Sequence, residues 1–160
     1  MMQSNVSRVA LATLMVILWA NLASAQAPDP LIGTWKLNVA KSTYIPGPPQ
    51  KSGTVTFEAA GEGIKLTADI QDADGSATHT EYSGNYDGKD YPLTGSAAAD
   101  TVSLKRIDAN TTERTDKKGE KVVATFTRKV SSDGKTLTTT HKGTNAQGQA
   151  VNNLLVLEKQ

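Results

Sequence analysis

Three features of the chain predict an all-β fold, an antiparallel up-and-down meander closed into a barrel of 8–10 strands with little or no helix. First, stretches of alternating apolar and polar residues recur along it, the period-2 pattern of half-buried strands. Second, Gly, Asp and Asn interrupt these stretches at short, fairly regular intervals, and Asp-Gly is a strong hairpin signal because Gly takes positive φ without steric cost. Third, no window after residue 25 carries an apolar stripe long enough for three helical turns.

The first 25 residues read as an address. Arg8 is the only charged residue before Asp29, and a mostly apolar run, Val9 to Ala20, follows it. Ala23-Ser24-Ala25 then supplies the small-x-small pattern of a signal-peptidase site. The run is short for a membrane span, which needs about 20 residues. A cleaved secretory signal peptide over 1–25 is expected, with a single β-barrel domain over 26–160 and a periplasmic or secreted location. Cleavage after Ala27 is the less favourable alternative, because it leaves Pro28 at the new terminus.

Nine or ten strands follow in order, at about 31–39, 52–59, 63–71, 76–86, 89–94, 100–107, 110–117, 120–130, 135–142 and 149–158. In the second, Val55 and Phe57 alternate with Thr54, Thr56 and Glu58. In the third, Ile64, Leu66, Ala68 and Ile70 alternate with Lys65, Thr67 and Asp69. In the eighth, Val122, Ala124, Phe126 and Val130 share a parity with Arg128. The turns between strands fall at sites such as Gly61-Glu62-Gly63, Asp87-Gly88, Lys118-Gly119 and Asp133-Gly134. Asn38–Tyr44 has room for one short helical turn before Pro46-Gly47-Pro48-Pro49 stops it. Closing the meander removes its exposed sheet edges.

Composition narrows the function classes. The chain has 160 residues, 17 Lys plus Arg against 16 Asp plus Glu, and 0 Cys. The absence of Cys excludes disulfides, thiolate zinc sites, iron–sulfur clusters and a cysteine nucleophile. Near-neutral charge argues against a nucleic-acid partner, which calls for a basic face. Membrane insertion as a barrel needs an apolar outer face with aromatic girdles. Here the outward parity carries Thr, Lys, Glu and Asp, and Thr111 to Lys118 has no apolar residue on either face.

The opening strand, Leu31-Ile32-Gly33-Thr34-Trp35-Lys36-Leu37, carries a Gly-x-Trp that resembles the first-strand motif of lipocalins. The longer Gly-Thr-Trp-Lys-Leu resembles fatty-acid-binding proteins, as does Ser132-Asp133-Gly134-Lys135-Thr136-Leu137-Thr138 in a late hairpin. Both families belong to the calycin group of antiparallel barrels. The resemblance implies a lipocalin-like barrel in which Gly33 and Trp35 are structural, the Trp plugging one end. The chain differs from those families in three ways. Asn38–Lys51 is too short and Pro-rich for a two-helix lid, the lipocalin Thr-Asp-Tyr motif is missing, and residues 149–160 contain no Arg-x-Tyr pair.

Parity places several polar groups inside. Arg106 and Arg128, joined by Arg114, form a candidate clamp for the carboxylate of a fatty acid or similar amphiphile. Tyr82 and Tyr86 are candidate hydroxyl donors, and Phe57 and Phe126 candidate apolar walls. The alternatives are that a bulge turns the arginines outward, or that they pair with internal acids such as Asp108 or Glu113. His79 and His141 sit in no metal-ligand pattern, and Asp72-x-Asp74-Gly75 reads as a turn rather than a calcium loop. No nucleophile motif is present. The expected function is non-covalent binding of a small hydrophobic or amphipathic ligand by a monomer that is not an enzyme and holds neither cofactor nor metal. The rival is a barrel filled by its own side chains, acting through its outer surface.

Overall fold

The computed structural model describes residues 28–145 and 147–160. The expected signal peptide, residues 1–25, lies outside them. The strands are β1 (Gly33–Leu37), β2 (Ser52–Ala60), β3 (Gly63–Gln71), β4 (Ala77–Asn85), β5 (Asp87–Thr94), β6 (Thr101–Arg106), β7 (Thr111–Lys118), β8 (Lys121–Val130), β9 (Thr136–Thr144) and β10 (Ala150–Lys159). Each pairs antiparallel with the next, and β1 pairs with β10, so the sheet is a closed ten-stranded barrel. This is the up-and-down architecture that the calycin resemblance implies. The helical turn expected before the Pro-rich loop is a single 3-10 turn at Val39–Lys41, capped by the Asn38 side chain on the Lys41 amide.

Closure takes two pieces of chain. β1 is half the length of β10 and covers only Leu157 to Lys159. Beyond it, Asn38 N–H donates to the Val156 carbonyl, and Thr43 and Leu154 exchange a pair of backbone bonds at 2.8 and 2.9 Å. The segment after β1 thus continues the seam, and the backbone groups of β10 are satisfied along most of its length. The β4–β5 seam is the sparsest, with only Glu81 opposite Thr94 and Tyr82 opposite Leu93.

The inside divides along the barrel axis. The end that carries the β2–β3, β4–β5, β6–β7 and β8–β9 turns is solid. Leu31, Trp35, Ile64, Leu104, Val130 and Leu137 are sealed there. Trp35 is 0% exposed. Its indole N–H donates to the Leu31 carbonyl at 2.7 Å, and the Lys159 ammonium lies 5.0 Å from its ring centroid. Gly33 sits beside this plug at φ 130, and a Cβ there would come within 2.9 Å of the Lys159 stem. That explains the Gly-x-Trp spacing physically: the backbone must take a left-handed conformation and let the last strand cross closely.

The other end is open, because its inward side chains are smaller. Gly53, Ala68, Thr78, Thr80, Ala124 and Gly143 lie on the inward register there. A β-bulge between Asp116 and Lys117 alters the expected parity of β8. Val122, which shares a sequence parity with Phe126 and Arg128, is 53% exposed. Val123 instead borders the mouth of the interior.

Candidate functional site

The open half encloses a cavity of about 510 Å³. That lies within the usual range for small-molecule sites, roughly 300–1,000 Å³. Its two walls differ in chemistry. Val55 and Phe57 of β2, Leu66 and Ile70 of β3, and Leu155 and Leu157 of β10 make an apolar wall. Arg114 and Asp116 of β7, Arg128 of β8, and Thr139 and His141 of β9 make a polar one.

Local sequence explains the polar wall. β7 reads Thr-Thr-Glu-Arg-Thr-Asp-Lys-Lys, so its inward positions are Thr112, Arg114 and Asp116. Register then carries polarity to its neighbours: Arg114 lies opposite Phe126, and Phe126 opposite His141. Arg128 lies opposite Thr112 on one side and Thr139 on the other.

Arg114 is paired within the protein. Its Nε and Nη2 donate to Asp116 Oδ1 and Oδ2, both at 2.5 Å, with both side chains under a tenth exposed. Burial opposes the guanidinium charge, but the Asp116 carboxylate outweighs it and holds the Arg114 pKa above its ordinary value. The guanidinium also lies 4.5 Å from the Phe126 ring centroid and 5.0 Å from that of Tyr82.

Arg128 is different. It is 5% exposed, and its Nη1 donates to the Tyr82 hydroxyl at 3.1 Å. Among the described residues no carboxylate lies within ion-pair distance of it. It sits at the floor of the cavity, since Trp35, Ile64, Leu104 and Val130, farther toward the solid end, do not border the space. Two guanidiniums and one carboxylate leave one uncompensated positive charge at that depth. Such a charge is costly to bury without a partner anion.

His141 stacks on Phe126, with ring centroids 4.1 Å apart and an interplanar angle of 15°. Burial pushes its pKa down to about 4, and Arg114 and Arg128 push the same way against the pull of Asp116. The imidazole is therefore neutral at pH 7.

The sequence-derived candidates divide between two places. Arg128, Arg114, Phe57 and Phe126 border the cavity, and Tyr82 stands behind Arg128 as its hydrogen-bond partner. Arg106 and Tyr86 lie instead at the solid end. Arg106 Nη2 pairs with Asp29 Oδ2, the Tyr86 hydroxyl donates to the same oxygen at 2.7 Å, and the guanidinium covers the Tyr86 ring at 4.3 Å. Burial and the Asp29 contact raise the Tyr86 pKa well above its ordinary value. The structure thus places Arg106, a candidate for the clamp, and Tyr86, a candidate hydroxyl donor, outside the cavity lining, where Asp29, in the segment before β1, neutralises Arg106. The internal partners of the arginines are Asp29 and Asp116, not Asp108 or Glu113. Asp116, Thr139 and His141 were not among the expected site residues. Parity puts all three inside, but Asp116 falls in a charge run that reads as a solvated face.

Among the described residues no group of three His, Cys, Asp or Glu is placed to hold a metal ion. His79 faces outward, 2.6 Å from Asp69 and 3.8 Å from Glu81.

No protein-family model matches the chain, and no curated protein matches it in sequence. Among solved structures it is similar to a redesigned β-barrel, mFAP1, bound to DFHBI, with a TM-score of 0.47 and 14% identity over 81% of this chain and 95% of that one. It is also similar to the zebrafish ileal bile acid-binding protein complexed with cholic acid, with a TM-score of 0.48 and 12% identity over 82% of this chain and 99% of that one.

Proposed function

We propose that the protein is a non-covalent carrier of one small amphipathic anion. Arg128 carries this reading: a buried guanidinium without a carboxylate partner, at the floor of a cavity of about 510 Å³. A ligand carboxylate there supplies the missing counter-charge and accepts charge-assisted hydrogen bonds. Its apolar tail then runs toward the mouth along Val55, Phe57, Leu66 and Ile70. The ligand binds head-first, since the charge is deep and the mouth is lined by smaller groups. A barrel filled by its own side chains would leave no such space.

The protein acts as a binding protein rather than an enzyme and works as a monomer. Its N-terminal 25 residues, with the Ala23-Ser24-Ala25 site, direct it to the periplasm or the exterior. N-terminal sequencing of the exported protein is expected to begin at Gln26.

The test is native mass spectrometry of the exported protein without delipidation, followed by fluorescent-probe displacement with dodecanoate. One bound anion per chain is expected, with affinity at least tenfold weaker in Arg128→Met, from loss of a charge-assisted contact of about 1.5–3 kcal/mol. A clean unliganded mass together with no displacement by any amphipathic acid would refute the reading.

A further inference from the structure

We propose that His141 is a specificity-determining residue: it selects ligands that carry, besides the anionic head, a hydroxyl or similar hydrogen-bonding group part-way along the tail. This inference rests on the carrier reading above and narrows its ligand class.

The charged groups of the polar wall are accounted for. Arg114 and Asp116 satisfy each other, and Arg128 awaits the head group. His141 borders the same cavity, yet neither of its ring nitrogens has a hydrogen-bond partner among the described residues. Its register neighbour Asn153 does not serve it, because the Asn153 side-chain oxygen accepts the Ile45 amide at 2.9 Å. The stack on Phe126 holds the imidazole in one orientation. A rigid polar group facing a binding space without a protein partner is placed to meet a ligand atom.

Its protonation state says which atom. A neutral imidazole offers one donor and one acceptor, and burial, helped by the two guanidiniums beside it, keeps it neutral. A hydroxyl complements either nitrogen. A plain alkyl chain complements neither and displaces the water that would otherwise hydrate the ring. Sites with a buried polar group discriminate by this asymmetry, since a ligand without the matching group leaves it unpaired.

Its position says where on the ligand the group belongs. His141 lies two residues along β9 from Thr139, the register partner of Arg128. Two residues of strand advance about 7 Å. The second polar group therefore sits several bonds from the carboxylate, on the side of the tail facing β8 and β9. The opposite side of the tail meets only the apolar wall.

The experiment is isothermal titration calorimetry at pH 7 with dodecanoate and a mid-chain hydroxydodecanoate. It compares the wild-type protein with His141→Phe and His141→Gln. The readout is the ratio of the two affinities compared between wild type and variant, a comparison that cancels the ordinary cost of dehydrating the ligand hydroxyl. The ratio is expected to favour the hydroxy acid about three- to tenfold more in wild type than in His141→Phe, the size of one neutral hydrogen bond. The Phe variant keeps the aromatic stack, and the Gln variant keeps a donor and an acceptor and is expected to restore part of the preference. An unchanged ratio in His141→Phe, or a Gln variant that restores nothing, overturns the role of His141 while dodecanoate binding leaves the carrier reading in place. Wild-type protein that binds neither acid overturns both.

Discussion

Arg128 sets stability against function. A buried guanidinium that lacks a carboxylate partner weakens the unliganded fold, and replacing such a charge with an apolar side chain of similar length is often stabilising. Arg128→Met is therefore expected to raise the urea midpoint of the ligand-free protein, by about 1 kcal/mol of stability. The same variant loses anion binding, so the two measurements move in opposite directions. His141 adds a pH dependence. Its native pKa of about 4 lies below the ordinary 6.5, so between those values the unfolded chain binds more protons than the folded one. Stability therefore rises with pH through that window. The His141 contribution is complete above pH 6.5 and is lost toward about 4. It amounts to at most about 3 kcal/mol. The groups facing the ring are Asp116, Arg114 and Arg128. Urea unfolding of wild type and His141→Phe at pH 7 and pH 5 checks this: the wild type should lose more stability between the two.

At the scale of elements, the segment before β1 acts as a stopper. Asp29 accepts from the Leu31 amide, the Tyr86 hydroxyl and Arg106, and so ties residues 29–31 to β4–β5 and β6. Asp29→Ala leaves two mostly buried partners unsatisfied. It is expected to destabilise the fold by about 2 kcal/mol, read as a lower thermal midpoint. Dodecanoate affinity should change little, because the cavity lies in the other half. This arrangement also shows what could and could not be read from sequence. All ten strands were readable, because turn residues and period-2 alternation are local signals. Arg128, Arg114, Phe57 and Phe126 were readable by parity. That Arg106 and Tyr86 lie at the solid end was not readable, because axial position depends on strand tilt and register, and their partner Asp29 lies in a segment with no periodicity. The bulge in β7–β8 that separates Val122 from the parity of Phe126 is announced by no alternation pattern.

At the scale of the molecule, one barrel is two half-barrels of different composition. Large side chains from β1, β3, β6, β8 and β9 fill one end, while Gly, Ala and Thr leave room at the other. The solid half supplies a large share of the fold's apolar burial, which leaves the open half room to hold charge. Ligand binding to the folded state alone should then raise the thermal midpoint with ligand concentration, as mass action requires. In wild type, saturating dodecanoate is expected to raise it by several degrees, and in Arg128→Met far less, as differential scanning fluorimetry would show.

The seam between β1 and β10 has a topological consequence. Because the first strand lies beside the last, and Gln160 N–H donates to the Thr34 carbonyl at 3.0 Å, the sheet is a ring in which chain order is arbitrary. Gln160 and the stopper lie together at the solid end. With residues 1–27 removed, a short Gly/Ser linker joining Gln160 to Pro28 would turn that seam into a tenth hairpin. New termini could then be opened at the exposed turn beside Gly119, where a Cβ would meet nothing. Such a circular permutant should fold to the same barrel and bind the same ligand, with its ends now at the mouth.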